Sequence, residues 1–363
     1  MCQKRKGKLM KKKAILFLLF ISLISISLGA KEIVKVNYDG FISQMKIYKG
    51  YYYFFDNKAG SVYRYDQKGE YIKVFGKYGE GPGELTEYLG FDFIDNKIYL
   101  QSQAKIIFFD LNGKLFTEKK KVRPSYFLLL ENKNMIELFV EKDYNTKLNL
   151  TNHKVFLCDA EFKRIKCLLT DSEKRSQGSP FKSFIDNIEV KYSESSKSIL
   201  ISQRRKGFLF NAFDLNGNLI FSIRNEKIPK IKVSNAFLHD FKEKLFSDPR
   251  MRSNIEMAEQ LYKQIQFPEY FPPFHSFYYD DLGNIFIRTY ERKGVYLLYK
   301  NYSSRGEFLK NYWLKDNNAD IYETRNFISF YKNRFVYLYE SEEDDYILSK
   351  QELSIEGAAG TVH

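Results

Sequence analysis

One turn recurs through this chain, and its spacing leaves few folds open. It reads Tyr65-Asp66-Gln67-Lys68-Gly69 first, then Phe109-Asp110-Leu111-Asn112-Gly113 and Cys158-Asp159-Ala160-Glu161-Phe162. Phe213-Asp214-Leu215-Asn216-Gly217 and Tyr302-Ser303-Ser304-Arg305-Gly306 follow. The Asp or Ser side chain accepts a hydrogen bond from the backbone two residues on, and Gly takes the positive φ that reverses the chain. The third copy lacks the glycine, so an irregular third unit is expected there. A second set of short turns separates other strand pairs, at Asp95-Asn96-Lys97, Ser193–Lys197, Asp280–Asn284 and Tyr331–Arg334.

The Asp-equivalent positions 66, 110, 159, 214 and 303 lie 44, 49, 55 and 89 residues apart. The long interval holds one insertion, residues 234–266. Setting it aside leaves about 50 residues for each of six units, the sixth running through Phe335–Tyr339, an acidic turn Glu342–Asp345 and Tyr346–Leu353. Units of this length with four strands each are the size of propeller blades. The 28 Tyr and 33 Phe against one Trp fit half-buried strands. The expected fold is all-β, a six-bladed β-propeller of four-stranded antiparallel blades. A lone blade hides neither face, whereas a closed ring hides both. The strand-like segment Ile33–Tyr38 is expected to pair with the last blade and latch the ring.

The insertion reads as two helices. Phe237, Leu238, Phe241 and Leu245 form one apolar stripe, and Met251, Ile255, Ala258, Tyr262 and Ile265 a second. Asp248-Pro249 suits the start of the second helix, and Phe267-Pro268 its end. The pair is expected to cap one face, burying its own stripe; a lid over the central channel is the sharper alternative.

Residues 1–30 read as a signal peptide: a basic start, the apolar run Ala14–Ala30 and small residues at its close. Residues 31–363 would then be the exported propeller, in periplasm, at the cell surface or secreted. An uncleaved signal would make an N-terminal membrane anchor, the single route to a membrane. The net charge of +13 is concentrated in this leader. Beyond it 51 basic side chains face 45 acidic ones, a mixed surface that argues against nucleic acid as a partner. The later basic clusters are Lys119–Arg123 and Arg204–Lys206. Cys158 and Cys167 flank the third turn. Centring that turn like the others pairs Cys158 near Lys163 and Cys167 near Lys154, so the thiols are not opposite each other. Two small buried side chains are preferred to a disulfide.

The run Phe75-Gly76-Lys77-Tyr78-Gly79-Glu80-Gly81-Pro82-Gly83-Glu84-Leu85 resembles the inter-blade segment of NHL-type repeats. It is still more similar to exported six-bladed β-propeller proteins common in Bacteroidetes and related bacteria. Phe267–Phe274, leading into Asp281–Thr289, carries the same resemblance, which spans roughly residues 33–355. The resemblance implies a fold far more than an activity.

Gly79, Gly81, Pro82, Gly83 and Glu84 lack the Gly-Lys-Ser/Thr ending of a phosphate loop and read as a structural turn between blades. The four histidines, 153, 239, 275 and 363, form no metal-ligand spacing, and no nucleophile elbow is present. Asp92 and Asp95 could hold Ca²⁺ at the end of a blade, but a turn role is the simpler reading. No catalytic, cofactor-binding or metal residue is therefore assigned, and no cofactor. The expected function is a non-catalytic binding propeller that recognises a protein, peptide or glycan through one face. The alternative is a lyase or lactonase with a metal or carboxylate cluster at the channel. The sequence leaves the oligomeric state open.

Overall fold

The computed structural model describes residues 32–36, 38, 40–56, 58–142, 150–174, 188–247, 254–265, 267–294, 296–315, 328–340 and 346–353. The leader and the acidic turn Glu342–Asp345 lie outside them. Six four-stranded antiparallel sheets are present. Blade I is Ile42–Tyr48, Tyr51–Asp56, Ser61–Tyr65 and Tyr71–Phe75. Blade II is Gly90–Ile94, Lys97–Gln101, Lys105–Asp110 and Leu115–Lys120. Blade III is Tyr126–Leu129, Met135–Lys142, Leu150–Cys158 and Arg164–Lys174. Blade IV is Ile188–Ser193, Ser198–Gln203, Leu209–Phe213 and Leu219–Arg224. Blade V is Ser276–Tyr279, Ile285–Lys293, Tyr296–Tyr302 and Phe308–Lys315.

Blade VI joins the two ends of the chain. Ile328–Tyr331, Arg334–Glu340 and Tyr346–Glu352 supply three strands, and Glu32–Val36 is the fourth and outermost. Val34 pairs with Leu348 and Val36 with Tyr346, the expected latch. The first strands gather around the axis: Ile328–Tyr331 runs beside both Ile42–Tyr48 and Ser276–Tyr279.

The core is divided among the six blade interfaces. Val36, Leu348, Met45 and Phe54 join blade VI to blade I, and Tyr53, Phe55, Phe91 and Leu100 join I to II. Tyr99, Phe127 and Met135 join II to III, and Ile136, Val155, Ile199 and Ile201 join III to IV. Leu200, Phe210, Phe277 and Ile287 join IV to V, and Phe286, Tyr299, Phe330 and Phe335 join V to VI. Each blade thus buries both faces against neighbours, and aromatic side chains fill the widening gap between sheets.

The recurring turns behave as their chemistry requires. Asp66 Oδ1 accepts from the Lys68 and Glu70 amides at 2.8 and 3.0 Å, and Asp110, Asp159, Asp214 and Ser303 repeat the pattern. In the third turn Phe162 adopts φ 64° where the others use Gly. Its ring is buried 4.9 Å from Phe127. That contact offsets the roughly 1–2 kcal/mol cost of a left-handed non-glycine residue. Blade III keeps its four strands, and the expected irregularity falls in its last strand pair, where the register shifts twice against once in blades I, II, IV and V. Cys158 pairs with Arg164 and Cys167 with Phe156, because bulges shift the register. Both thiols are free, but Cys167 is exposed rather than buried.

The insertion contains α1 (Asn235–Ser247) and α2 (Ile255–Gln264). The start of α2 differs from the expectation. Asn254, not Asp248, caps it by accepting from the Met257 amide at 3.0 Å, and Asp248 and Pro249 lie outside the described residues. Ile255 is exposed, so the second stripe is shorter than its sequence suggests. Among the described residues no helix is long and apolar enough to cross a membrane.

Candidate functional site

Chain direction puts first-to-second and third-to-fourth strand turns on one face, the lower. Second-to-third turns and the crossovers between blades lie on the other, the upper. The Gly79–Glu84 run is one such crossover, from blade I to blade II. Lys77-Tyr78 pairs in parallel with Glu84-Leu85. The Glu84 carboxylate accepts from the Gly81 amide at 2.8 Å and pairs with Lys77 at 2.6 Å. Gly79, at φ 150°, leaves the space this carboxylate occupies, since a Cβ there would overlap it. Gly83, at φ 76°, donates its amide to Glu118. Pro82 is exposed at the tip.

The next crossover is held by buried charge. Glu137 is fully buried and bound on both carboxylate oxygens. Arg123 reaches it at 2.5 and 2.7 Å, Arg164 at 2.7 and 3.2 Å, and Ser125 Oγ at 2.8 Å. Burial alone would raise this carboxyl, but the hydrogen bonds from Arg123, Arg164 and Ser125 outweigh it and hold it at about 2. Beside it, buried Lys121 Nζ donates to Gln101 Oε1 at 3.0 Å and to the Ser102 and Ser125 carbonyls. Burial pushes this amine down to about 7. Of the basic cluster Lys119–Arg123, Lys121 and Arg123 are thus engaged with buried partners, while Lys120 is exposed.

Carboxylates gather at the lower mouth of the ring. Glu194 is raised by burial and then by the nearby charges of Glu131, Asp95 and Asp92. Lysines offset them: Lys46 pairs with Asp92 at 2.6 Å and Lys197 with Glu131 at 2.8 Å. Asp95 is a turn residue at φ 47°. Among the described residues no three His, Cys, Asp or Glu side chains are grouped to hold a metal ion.

The upper face at the junction of blades IV and V differs from both. Glu189 and Ser202 are register partners on the first two strands of blade IV. Their side chains share the sheet face of Leu200, which packs against blade V. Arg204 follows in a 3-10 turn, its guanidinium 6.0 Å from the Phe274 ring. Glu189 Oε2, Ser202 Oγ and Arg204 Nε are buried, and none has a hydrogen-bond partner among the described residues. Glu189 Oε1 pairs with Lys191 at 3.0 Å, while its Oε2 stands 3.8 Å from Arg204 Nη2. Across the junction, His275 Nδ1 and Ser276 Oγ are 3.0 Å apart, and Ser276 donates to Tyr278 at 3.0 Å.

The helical insertion grows from the crossover between blades IV and V, on the upper face. Its two ends zip together, Phe271 N to Ile231 O at 2.9 Å and Val233 N to Glu269 O at 3.0 Å. Phe237 of α1 packs on Phe271 at 4.7 Å, and Phe271 stacks on Tyr290 of blade V at 4.6 Å. Tyr290 in turn lies 5.5 Å from His275. In the sequence, Arg204 stands out only as part of a basic cluster, and Ser202 and Glu189 not at all. A basic run and a serine carry no site signal until the register of blade IV sets them against Phe274 and His275.

The DUF5128 family model, a 6-bladed beta-propeller, matches residues 25–193. No curated protein matches the chain. Among solved structures, a protein of Bacteroides fragilis described as exported is similar at TM-score 0.53 and 14% identity, over 90% of this chain and 96% of that one. A member of the DUF4221 family from Bacteroides vulgatus is similar at TM-score 0.54 and 9% identity, over 89% and 96%. A gluconolactonase of Xanthomonas campestris has TM-score 0.43 and 10% identity, over 89% and 91%, too distant to bear on activity. These findings agree with the resemblance carried by Phe75–Leu85.

Proposed function

We propose that this six-bladed β-propeller is an exported, non-catalytic binding protein whose ligand sits on the upper face, between blades IV and V and beside the helical insertion. Three buried polar atoms without a hydrogen-bond partner, gathered at one blade junction, carry the reading. Buried polar groups are nearly always hydrogen-bonded, so a concentration of unpaired ones marks a place where something else completes them. The exported Bacteroides relative supports the compartment. The lower-mouth carboxylates support the lyase or lactonase reading less well, because lysines pair with two of them.

The test is site-directed labelling. A cysteine at Lys206, beside the junction, would carry an environment-sensitive dye in a background lacking the native cysteines. A second label would replace Lys332 on the lower face. Extracts of the native extracellular milieu are expected to change the first signal and leave the second. A change confined to the Lys332 label contradicts the reading.

A further inference from the structure

The hydrogen-bonding pattern at the IV–V junction also specifies a kind of ligand, granted that the junction is the binding site. The fifth residue of the second strand faces the following blade in blades I, II, IV and VI, as Phe55, Gln101, Ser202 and Leu338. Phe55 fills that place by stacking on Tyr88. Gln101 fills it by clamping Phe127 N at 3.0 Å and Phe127 O at 2.8 Å. Leu338 fills it within the apolar core between blades VI and I. Ser202 is smaller than all three, is 1% exposed, and leaves its hydroxyl unpaired.

The unpaired atoms around Ser202 are of mixed kind. Arg204 Nε can only donate, Glu189 Oε2 can only accept, and the Ser202 hydroxyl does either. An anion offers acceptors alone and would leave Glu189 Oε2 without a donor and facing like charge. A peptide amide divides its donor and acceptor between two atoms. A hydroxyl combines both on one oxygen. Glu189 Oε2 and Arg204 Nη2, at 3.8 Å, are too far apart for a direct hydrogen bond and flank a place where one hydroxyl could serve both. At the foot of the insertion Tyr270 is 39% exposed, with Lys230 Nζ 5.8 Å from its ring.

We infer that the junction binds an uncharged, hydroxyl-rich ligand, a neutral carbohydrate, with one sugar hydroxyl between Glu189 and Arg204. The experiment is affinity electrophoresis of the full chain through gels holding neutral polysaccharides (glucan, mannan, xylan), with polygalacturonate and an immobilised peptide library as separate arms. At least one neutral polysaccharide is expected to retard the protein. Ser202→Phe, which copies blade I, and Arg204→Ala are each expected to weaken that retardation at least tenfold with the melting temperature kept. Glu189→Gln, which keeps the shape, separates lost acceptor strength from lost folding and is expected to weaken it as well. Retardation by polygalacturonate or peptide alone, still abolished by Arg204→Ala, overturns the neutral carbohydrate and leaves the site standing. Retardation by a neutral polysaccharide that Ser202→Phe and Arg204→Ala leave unchanged overturns the site. Binding in no arm overturns both.

Discussion

Replacing Glu137 with Ala is expected to lower stability by about 3–5 kcal/mol, the range for breaking a buried ion pair from one side. The reason is what remains. Arg123 and Arg164 converge on this carboxylate, and without it two guanidiniums share one partly buried space with no counter-charge. They are 25% and 33% exposed, so solvent screens part of that cost and the lower half of the range is expected. The site has a pH signature of definite sign. The folded carboxyl titrates at about 2 against an ordinary 4.5, so its contribution is complete above 4.5 and is lost as pH falls toward 2. Urea denaturation at pH 7 and pH 3 checks both points. The variant should differ most from the parent at pH 7, and the gap should narrow at pH 3. Removing both arginines together with Glu137, by apolar substitution, should cost less than Glu137→Ala alone. An equal or greater loss would show that the charges contribute net stability.

The latch carries a second large effect. Deleting residues 32–36 leaves blade VI with three strands and strips the cover from Leu348 and Tyr346. Val34 and Val36 are 8% and 1% exposed, and each such side chain contributes about 1.5–3 kcal/mol on burial. The deletion also turns Tyr346–Glu352 into an unpaired edge strand, a surface that pairs with other chains. Loss of the single cooperative unfolding transition and concentration-dependent association by sedimentation are the expected results. Val36→Asp should give a weaker form of the same behaviour. A deletion variant that stays monomeric with an unchanged midpoint would remove the latch from the account.

The ring was legible because its signals are local. Asp66, Asp110, Asp214 and Gly69, Gly113, Gly217 perform in the structure the chemistry their types suggest. Phe162 was not legible, since only its tertiary contact with Phe127 makes a left-handed phenylalanine tolerable. Asn254 was hidden by the stronger-looking Asp248-Pro249. The junction was opaque for a different reason. Glu189, Ser202 and Arg204 lie on one hairpin and are ordinary in type, Phe274 is far along the chain, and what makes them a group is strand register plus a small residue where other blades carry large ones. Periodicity shows which faces are buried, not which buried atoms lack a partner.

Closure of the ring by its own N-terminal strand is tested most directly by a cysteine pair at Lys35 and Ile347, register partners from opposite ends of the chain. Paired positions on neighbouring antiparallel strands lie within disulfide reach, about 4.5–5.5 Å between Cα atoms. With the native cysteines changed to serine, mild oxidation should join the two. The protein should then run faster on a non-reducing denaturing gel and melt at a higher temperature, both reversed by reductant. Thiols that stay fully titratable in the folded protein, with unaltered mobility, would contradict closure.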